Sequence, residues 1–291
     1  LGLGLAAAAL GAPPARAQVP STDIWLAELR VAGPEIRVGN PANVTRRSGY
    51  DNQPCFLPDG RAFLYTRGDS VATEVYRYER ASGRVVQVTR TLESEYSPTP
   101  FADGRDGFCA VRVESDGVQR LWRFDRDGSR PRLVLADVDS VGYFAWIDRE
   151  TVALFVVGEP HTLRVVDTRT EQETVVARDI GRALYPAPGD DLSFMVRNPE
   201  SEPPTYQFRT WRLGARDTQP LIDAVGGGQD AVWIGEMLVM ADGAKLFVAY
   251  PSEGPVWREV ADFGAYGVSG ITRLAVSRDQ RWIAFVAAES P

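Results

Sequence analysis

Six times along the chain a short apolar run passes through an acidic or glycine turn into a second apolar run. Pro54-Cys55-Phe56-Leu57-Pro58-Asp59 leads into Ala62-Phe63-Leu64-Tyr65, and Ala145-Trp146-Ile147-Asp148 into Val152-Ala153-Leu154-Phe155. The turns fall at Asp59, Asp103, Asp148, Asp191, Gly235 and Asp279, 43 to 45 residues apart. Each copy predicts a β-hairpin, because Asp-Gly and its relatives tolerate the positive φ that a tight turn between twisted strands requires. A repeat of this length is too long for a leucine-rich or tetratricopeptide unit. It suits one four-stranded propeller blade, which cannot bury both faces without neighbours.

A third strand with alternating polarity follows in most copies: Val75-Tyr76-Arg77-Tyr78-Glu79, Leu121-Trp122-Arg123-Phe124-Asp125, Leu163-Arg164-Val165-Val166-Asp167 and Phe208-Arg209-Thr210-Trp211-Arg212. Polar turns then lead to fourth strands such as Arg84–Thr89 and Pro131–Leu135. The fifth copy is blurred between Lys245 and Val260. The sixth has only its first two strands before Pro291, while Ile24–Glu28 and Glu35–Val38 carry the third- and fourth-strand patterns with no hairpin ahead of them. The pattern therefore predicts an all-β, six-bladed β-propeller of four-stranded antiparallel blades. Its last blade is completed by the amino-terminal strands, which pairs otherwise open edges. Trp25, Trp122, Trp146, Trp211, Trp233 and Trp282 recur at strand positions and are expected in the core between blades.

Ahead of the repeats, Leu1–Leu10 contains only Leu, Gly and Ala, and Ala15-Arg16-Ala17 forms a small-x-small site before Gln18. Residues 1–17 read as part of a secretory signal peptide, and 18–291 as a single propeller domain of about 46 residues per blade. No cysteine stands at the cleavage point to carry a lipid. No later stretch reaches the ~20 apolar residues of a membrane span. The expected product is a monomer, periplasmic or secreted, without membrane insertion. A net charge of -7 and a pI near 5.0 disfavour nucleic acid or an anionic membrane as partner. Export permits a disulfide between the two cysteines, Cys55 and Cys109, but the register places them on different strands of adjacent blades and leaves a buried free thiol as the alternative.

The phrase Gln53-Pro54-x-x-x-Pro58-Asp59-Gly60-Arg61-x-x-x-Leu64-Tyr65, with its relative Ser97-Pro98-x-x-x-Ala102-Asp103-Gly104, resembles the core of TolB-type, WD-like propeller repeats. The resemblance covers essentially the whole chain after the leader and implies the fold, not an activity. TolB itself carries an α/β domain ahead of its propeller, and only about 25 residues of strand-like sequence precede the first full blade here. Related propellers occur fused to prolyl-oligopeptidase-like hydrolases, whose catalytic partner is not present in this sequence.

Chemistry is sparse. His161 is the single histidine, which leaves no His-x-x-x-His pair, and no Cys-x-x-Cys or Gly-x-Ser-x-Gly elbow accompanies it. The Gly226–Gly228 run lacks the Lys-Ser/Thr of a phosphate loop. The more promising constellation lies just before the first strands, where propeller topology brings segments together at one mouth of the channel. These segments supply Tyr50, Asp51, Asn52, Glu93, Glu95, Tyr96, Tyr143 and Tyr185, an aromatic and acidic rim suited to recognition. The expected function is that of an exported, non-catalytic binding or scaffold propeller without a cofactor, recognising a protein, peptide or glycan of the cell envelope at the channel mouth. An accessory role in an envelope assembly is a related reading. The alternative is a metal-dependent propeller hydrolase or lactonase, with a cation such as calcium held at the mouth by Asp51, Glu93 and Glu95.

Overall fold

The computed structural model describes residues 20–68, 72–101 and 104–289. The leader reading for 1–17 and the turn at Asp103 lie outside the described residues. Apart from three short 3-10 turns, the regular structure among the described residues is all strand.

Four sheets have four antiparallel strands each, spanning residues 94–133, 141–178, 180–223 and 231–262. The remaining strands form one nine-stranded sheet that resolves into two four-stranded units and the two-residue strand Ala42–Asn43, which pairs with Trp25 and Leu26. One unit runs Tyr50–Phe56, Ala62–Gly68, Thr73–Glu79, Arg84–Gln87. In the other, Thr272–Val276 and Trp282–Ala288 are continued by Thr22–Ala32 and Glu35–Val38. The register from Thr22↔Ala288 to Glu28↔Trp282 is antiparallel and unbroken. Among the described residues the strand pairing between the two units is the single parallel pair Thr22↔Tyr50. The two ends of the described chain thus share a sheet, and Trp25 stacks on Phe285 with centroids 6.5 Å apart.

The hairpin turns divide their labour. The aspartates act as side-chain acceptors: Arg61 N–H donates to Asp59 Oδ1 at 2.9 Å, and the Glu150 and Thr151 amides donate to Asp148 Oδ1 at 2.8 Å. The positive φ falls one residue later, on Gly60 (65°) and Gln280 (56°). Asp191 departs from expectation, because it opens the strand Asp191–Arg197 while Pro188–Asp190 makes the turn. The strands left unplaced in the fifth copy are Lys245–Ala249 and Arg258–Asp262.

Six apolar clusters hold the sheets face to face. Ile24, Leu26 and Val286 meet Phe56, Phe63 and Tyr65; Leu64 and Val75 meet Phe108 and Phe124. Val111 and Leu121 pack on Leu154 and Val166, and Phe155 and Leu163 on Phe194 and Trp211. Met195 and Phe208 face Leu238 and Met240; Val239 and Val248 return to Trp25, Ile283 and Phe285. Each side chain so buried contributes about 1.5–3 kcal/mol. Of the tryptophans, Trp25 and Trp211 are buried, whereas Trp122, Trp146, Trp233 and Trp282 are half-buried. Gly128 marks the closeness of two sheets: a Cβ there would sit 2.2 Å from the Val88 carbonyl oxygen.

Candidate functional site

The first strands of the six units are Tyr50–Phe56, Ser94–Pro100, Val141–Trp146, Ile180–Ala187, Ala231–Ile234 and Thr272–Val276. All six contribute to the wall of one cavity of about 340 Å³. A second cavity of about 520 Å³ is lined by the beginnings of several of the same strands, and Gln53, Tyr143 and Arg182 border both. They form a collar between the two chambers.

The collar exists because the first strands are bulged. Gln53, Ser97 and Arg273 have φ of 55°, 54° and 48°, and pairing with the second strand shifts register at Asn52/Cys55, Tyr96/Thr99 and Thr272/Leu274. A bulge re-aims the side chains beside it. Gln53 Oε1 accepts from the Ser97 amide of the next sheet at 2.9 Å, and Gln229 Oε1 accepts from the Arg182 amide at 3.0 Å. Gln53 therefore ties two neighbouring bulges together, and Gln229 ties the bulge around Arg182 to the segment that enters Ala231–Ile234.

Behind the collar lies a charge cluster. Asp230, 4% exposed, accepts from Arg273 Nη1 at 2.9 Å and from Arg182 through Nε at 3.3 Å and Nη2. Burial alone would raise its carboxyl, but Arg273 and Arg182 hold it below the ordinary carboxylate range. Arg273 Nη2 also donates to the Tyr143 hydroxyl at 2.8 Å, with the guanidinium 4.8 Å from that ring's centroid.

The sequence-predicted residues are distributed differently from a common rim. Tyr50, Asp51, Asn52, Glu95, Tyr96, Tyr143 and Tyr185 lie within the first strands rather than ahead of them, because the bulges let pairing continue past the expected ends. Tyr143 and Tyr185 line the smaller cavity, Tyr50 and Tyr96 the larger, and those two rings meet edge to face at 6.5 Å. Burial raises the Tyr50 and Tyr185 hydroxyls, so both stay protonated. The acids stand elsewhere. Asp51, with a side chain 0% exposed, accepts from Arg67 Nε at 3.1 Å and Arg47 Nη1 at 3.2 Å, and burial lifts its carboxyl despite them. Asn52 donates to Thr22 Oγ1 at 3.3 Å, fastening the amino-terminal strand. Glu93 is half-buried, its carbonyl accepting from Thr91 Oγ1 at 3.3 Å. The Glu95 side chain is 0% exposed and accepts from Arg112 Nε at 3.0 Å and Thr91 Oγ1 at 2.8 Å. Asp51 and Glu95 belong to different sheets, and among the described residues no group of three or more His, Cys, Asp or Glu side chains converges.

Cys55 and Cys109 are both free thiols, and burial pushes each up to about 12, which leaves them neutral. His161 caps a turn, accepting from the Gly158 amide at Nδ1, 3.2 Å away. Gln53, Arg182, Gln229 and Asp230 belong to segments that the sequence places at the channel mouth, without being chosen as contact residues, and Arg273 was missed. The available signal was a charged residue inside an otherwise apolar first strand, as at Arg273 between Thr272 and Leu274.

Glu95 carries a testable consequence. Burial pushes its carboxyl from 4.5 up to about 7 against the pull of Thr91 and Arg112, and the neighbouring Glu74 raises it further through charge and a hydrogen bond. Glu74 Oε2 is buried and otherwise lacks a donor, so a proton shared with Glu95 satisfies it. The folded chain keeps this proton to about pH 7, whereas the unfolded chain releases it near 4.5. Stability is therefore expected to fall by about 2–3 kcal/mol as pH rises across that window. Urea titrations at several pH values should show the slope in the wild type and its loss in Glu95→Gln. Parallel curves for the two proteins would refute the shared proton.

No family model matches the chain. The GTP-dependent dephospho-CoA kinase of Halorubrum lacusprofundi is 32% identical over 109 residues, which cover 38% of this chain. The match spans only 55% of that kinase's length. Among solved structures, a TolB of Agrobacterium tumefaciens superposes with a TM-score of 0.69 at 16% identity, covering 92% of this chain and 98% of that one. A chain from a nidogen/laminin complex gives 0.64 at 10% identity, covering 93% and 100%. A gluconolactonase of Xanthomonas campestris gives 0.62 at 12% identity, covering 94% and 99%. Together with the sheets described above, these likenesses show that the chain has a TolB-like β-propeller fold.

Proposed function

We propose that the chain is a six-bladed, closed propeller of the cell envelope, periplasmic or secreted, which binds a protein, peptide or glycan in its central channel without transforming it. The observation that carries this reading is the convergence of all six first strands on one cavity, with Tyr143, Arg182 and Gln53 at its waist. A concave, mostly apolar space with a few convergent polar groups is the usual form of a ligand site. Closure is supported by the clusters between sheets. Six units in an open stack would make five such interfaces, whereas six occur, each unit entering two. The TolB-like fold and the leader reading support the envelope location. The neighbour from the nidogen/laminin complex supports macromolecular recognition by this architecture.

The test is capture of a defined partner from envelope extract by the tagged protein. Tyr143→Ala should reduce capture at least tenfold while melting remains cooperative. Leu92→Ser, on a side chain 99% exposed and away from the cavities, should leave it unchanged. The reverse pattern would move recognition to the outer surface. The gluconolactonase neighbour supports the alternative of a metal-dependent hydrolase or lactonase. Lactone turnover stimulated by calcium or zinc would establish that alternative.

A further inference from the structure

We infer that the collar is an anion seat, and that the channel takes a peptide by its carboxylate end with apolar side chains beside it. This deepens the proposed channel recognition and rests on it. Of the described residues lining the two cavities, Arg182 and Arg273 carry charge and none is Asp or Glu, in a protein whose net charge is -7. Asp230 neutralises one of the two guanidinium groups from behind the wall, and one positive charge is left facing a low-dielectric space. Such a site focuses an attractive field on an anion.

Hydrogen-bond valence points the same way. A backbone N–H can only donate, so the Gln53 and Gln229 atoms facing the Ser97 and Arg182 amides are oxygens. Their Nε2 groups are then the atoms left over, and both are donors. Tyr143 accepts from Arg273, which turns its own O–H away from that guanidinium. Arg182 engages Asp230 through Nε and Nη2, leaving Nη1 without an acceptor among the described residues. Gln53, Tyr143 and Arg182 at the waist, with Gln229 beside them on the wall of the larger cavity, thus offer donors, and a carboxylate, which only accepts, is their complement.

The smaller chamber beside the collar selects what the carboxylate is attached to. Its wall includes Pro54, Pro98, Phe144, Trp146, Leu184 and Val232. Sugar hydroxyls would be left without partners against these side chains, at about 1–3 kcal/mol each. Apolar peptide side chains would instead bury surface. A volume of about 340 Å³ accepts a chain end rather than a folded face.

Isothermal titration with N-acetyl-Ala-Pro-Leu, its C-terminal amide and trigalacturonate tests the inference. The free acid should bind at least tenfold more tightly than the amide. Added salt should weaken the acid alone, and Arg182→Gln should erase the difference. Arg182 suits this test because its side chain is 31% exposed and Arg273 remains to pair Asp230, so the fold should survive. Equal binding of acid and amide would overturn the anion seat while leaving channel recognition intact. Binding of trigalacturonate in preference to the peptide acid would overturn the peptide assignment. Failure of all three probes would refute the inference, whereas channel recognition itself falls only if partner capture ignores Tyr143→Ala.

Discussion

Deletion of residues 22–38 is expected to abolish cooperative unfolding. Ile24, Trp25, Leu26 and Leu29 are 0–8% exposed, and together they bury about 6–12 kcal/mol of apolar stabilisation. That is comparable to the whole stability of a typical domain, about 5–15 kcal/mol. The deletion also strips the Trp282–Ala288 strand of its partner across the register from Thr22↔Ala288 to Glu28↔Trp282, leaving an unpaired apolar edge prone to aggregation. It exposes two apolar faces as well, since the shared sheet packs against Phe63 and Tyr65 on one side and Val239 and Val248 on the other. Calorimetry should show one sharp transition in the intact chain and none in the truncated one. A truncated protein that melts sharply within a few degrees of the intact chain would mean that these strands are a dispensable arm.

Replacement of Asp230 by Asn should destabilise the protein by about 3–5 kcal/mol, the usual cost of removing one partner from a buried ion pair. Arg273, whose side chain is 16% exposed, would keep its charge with only neutral acceptors to answer it, the Tyr143 hydroxyl and the one oxygen that asparagine retains. Arg182, which uses both carboxylate oxygens through Nε and Nη2, would keep at most one neutral acceptor there. Adding Arg182→Gln to Asp230→Asn should recover part of the loss by removing one of the two uncompensated cations. Because the Asp230 carboxyl is held below 3.8, its contribution is complete at neutral pH and disappears only as pH falls below that value. Chemical denaturation of the four proteins at pH 7 measures the cycle. A change below about 1 kcal/mol for Asp230→Asn would show that the cluster is solvated rather than structural.

The fold was legible because its signals are local. Alternation of side chains places Phe63 and Tyr65 on one face of a strand and Leu64 on the other, and the two faces enter different clusters. Asp59, Asp148 and Asp279 punctuate the hairpins because each carboxylate can reach an amide two residues along the chain. The sharing of a sheet by the chain ends was also readable, since Ile24–Glu28 has a third-strand pattern with no hairpin before it. Outer strands were harder. Arg132–Leu133 is two residues long and exposed, so little apolar patterning is needed to form it.

The candidate site was read less well, for a different reason. Of the residues that the sequence pointed to, Tyr143 and Tyr185 line the smaller cavity and Tyr50 and Tyr96 the larger. It gave the carboxylates a common rim, whereas Asp51 turns to Arg47 and Arg67 and Glu95 to Arg112 inside the sheets. Which side of a strand a residue faces follows an alternation of two, and a left-handed bulge at Gln53 or Ser97 resets that count.

By itself the sequence determined the all-β repeat, its hairpins and the pairing of amino- and carboxy-terminal strands, because these depend on polarity and turn chemistry between near neighbours. Only the tertiary structure decided that Arg182, Arg273 and Asp230, up to 91 positions apart, form one charge cluster beside cavities whose described lining carries guanidinium groups and no carboxylate. The physical reason is that the sign of a buried site depends on which charges face each other across the space, and chain order does not record that.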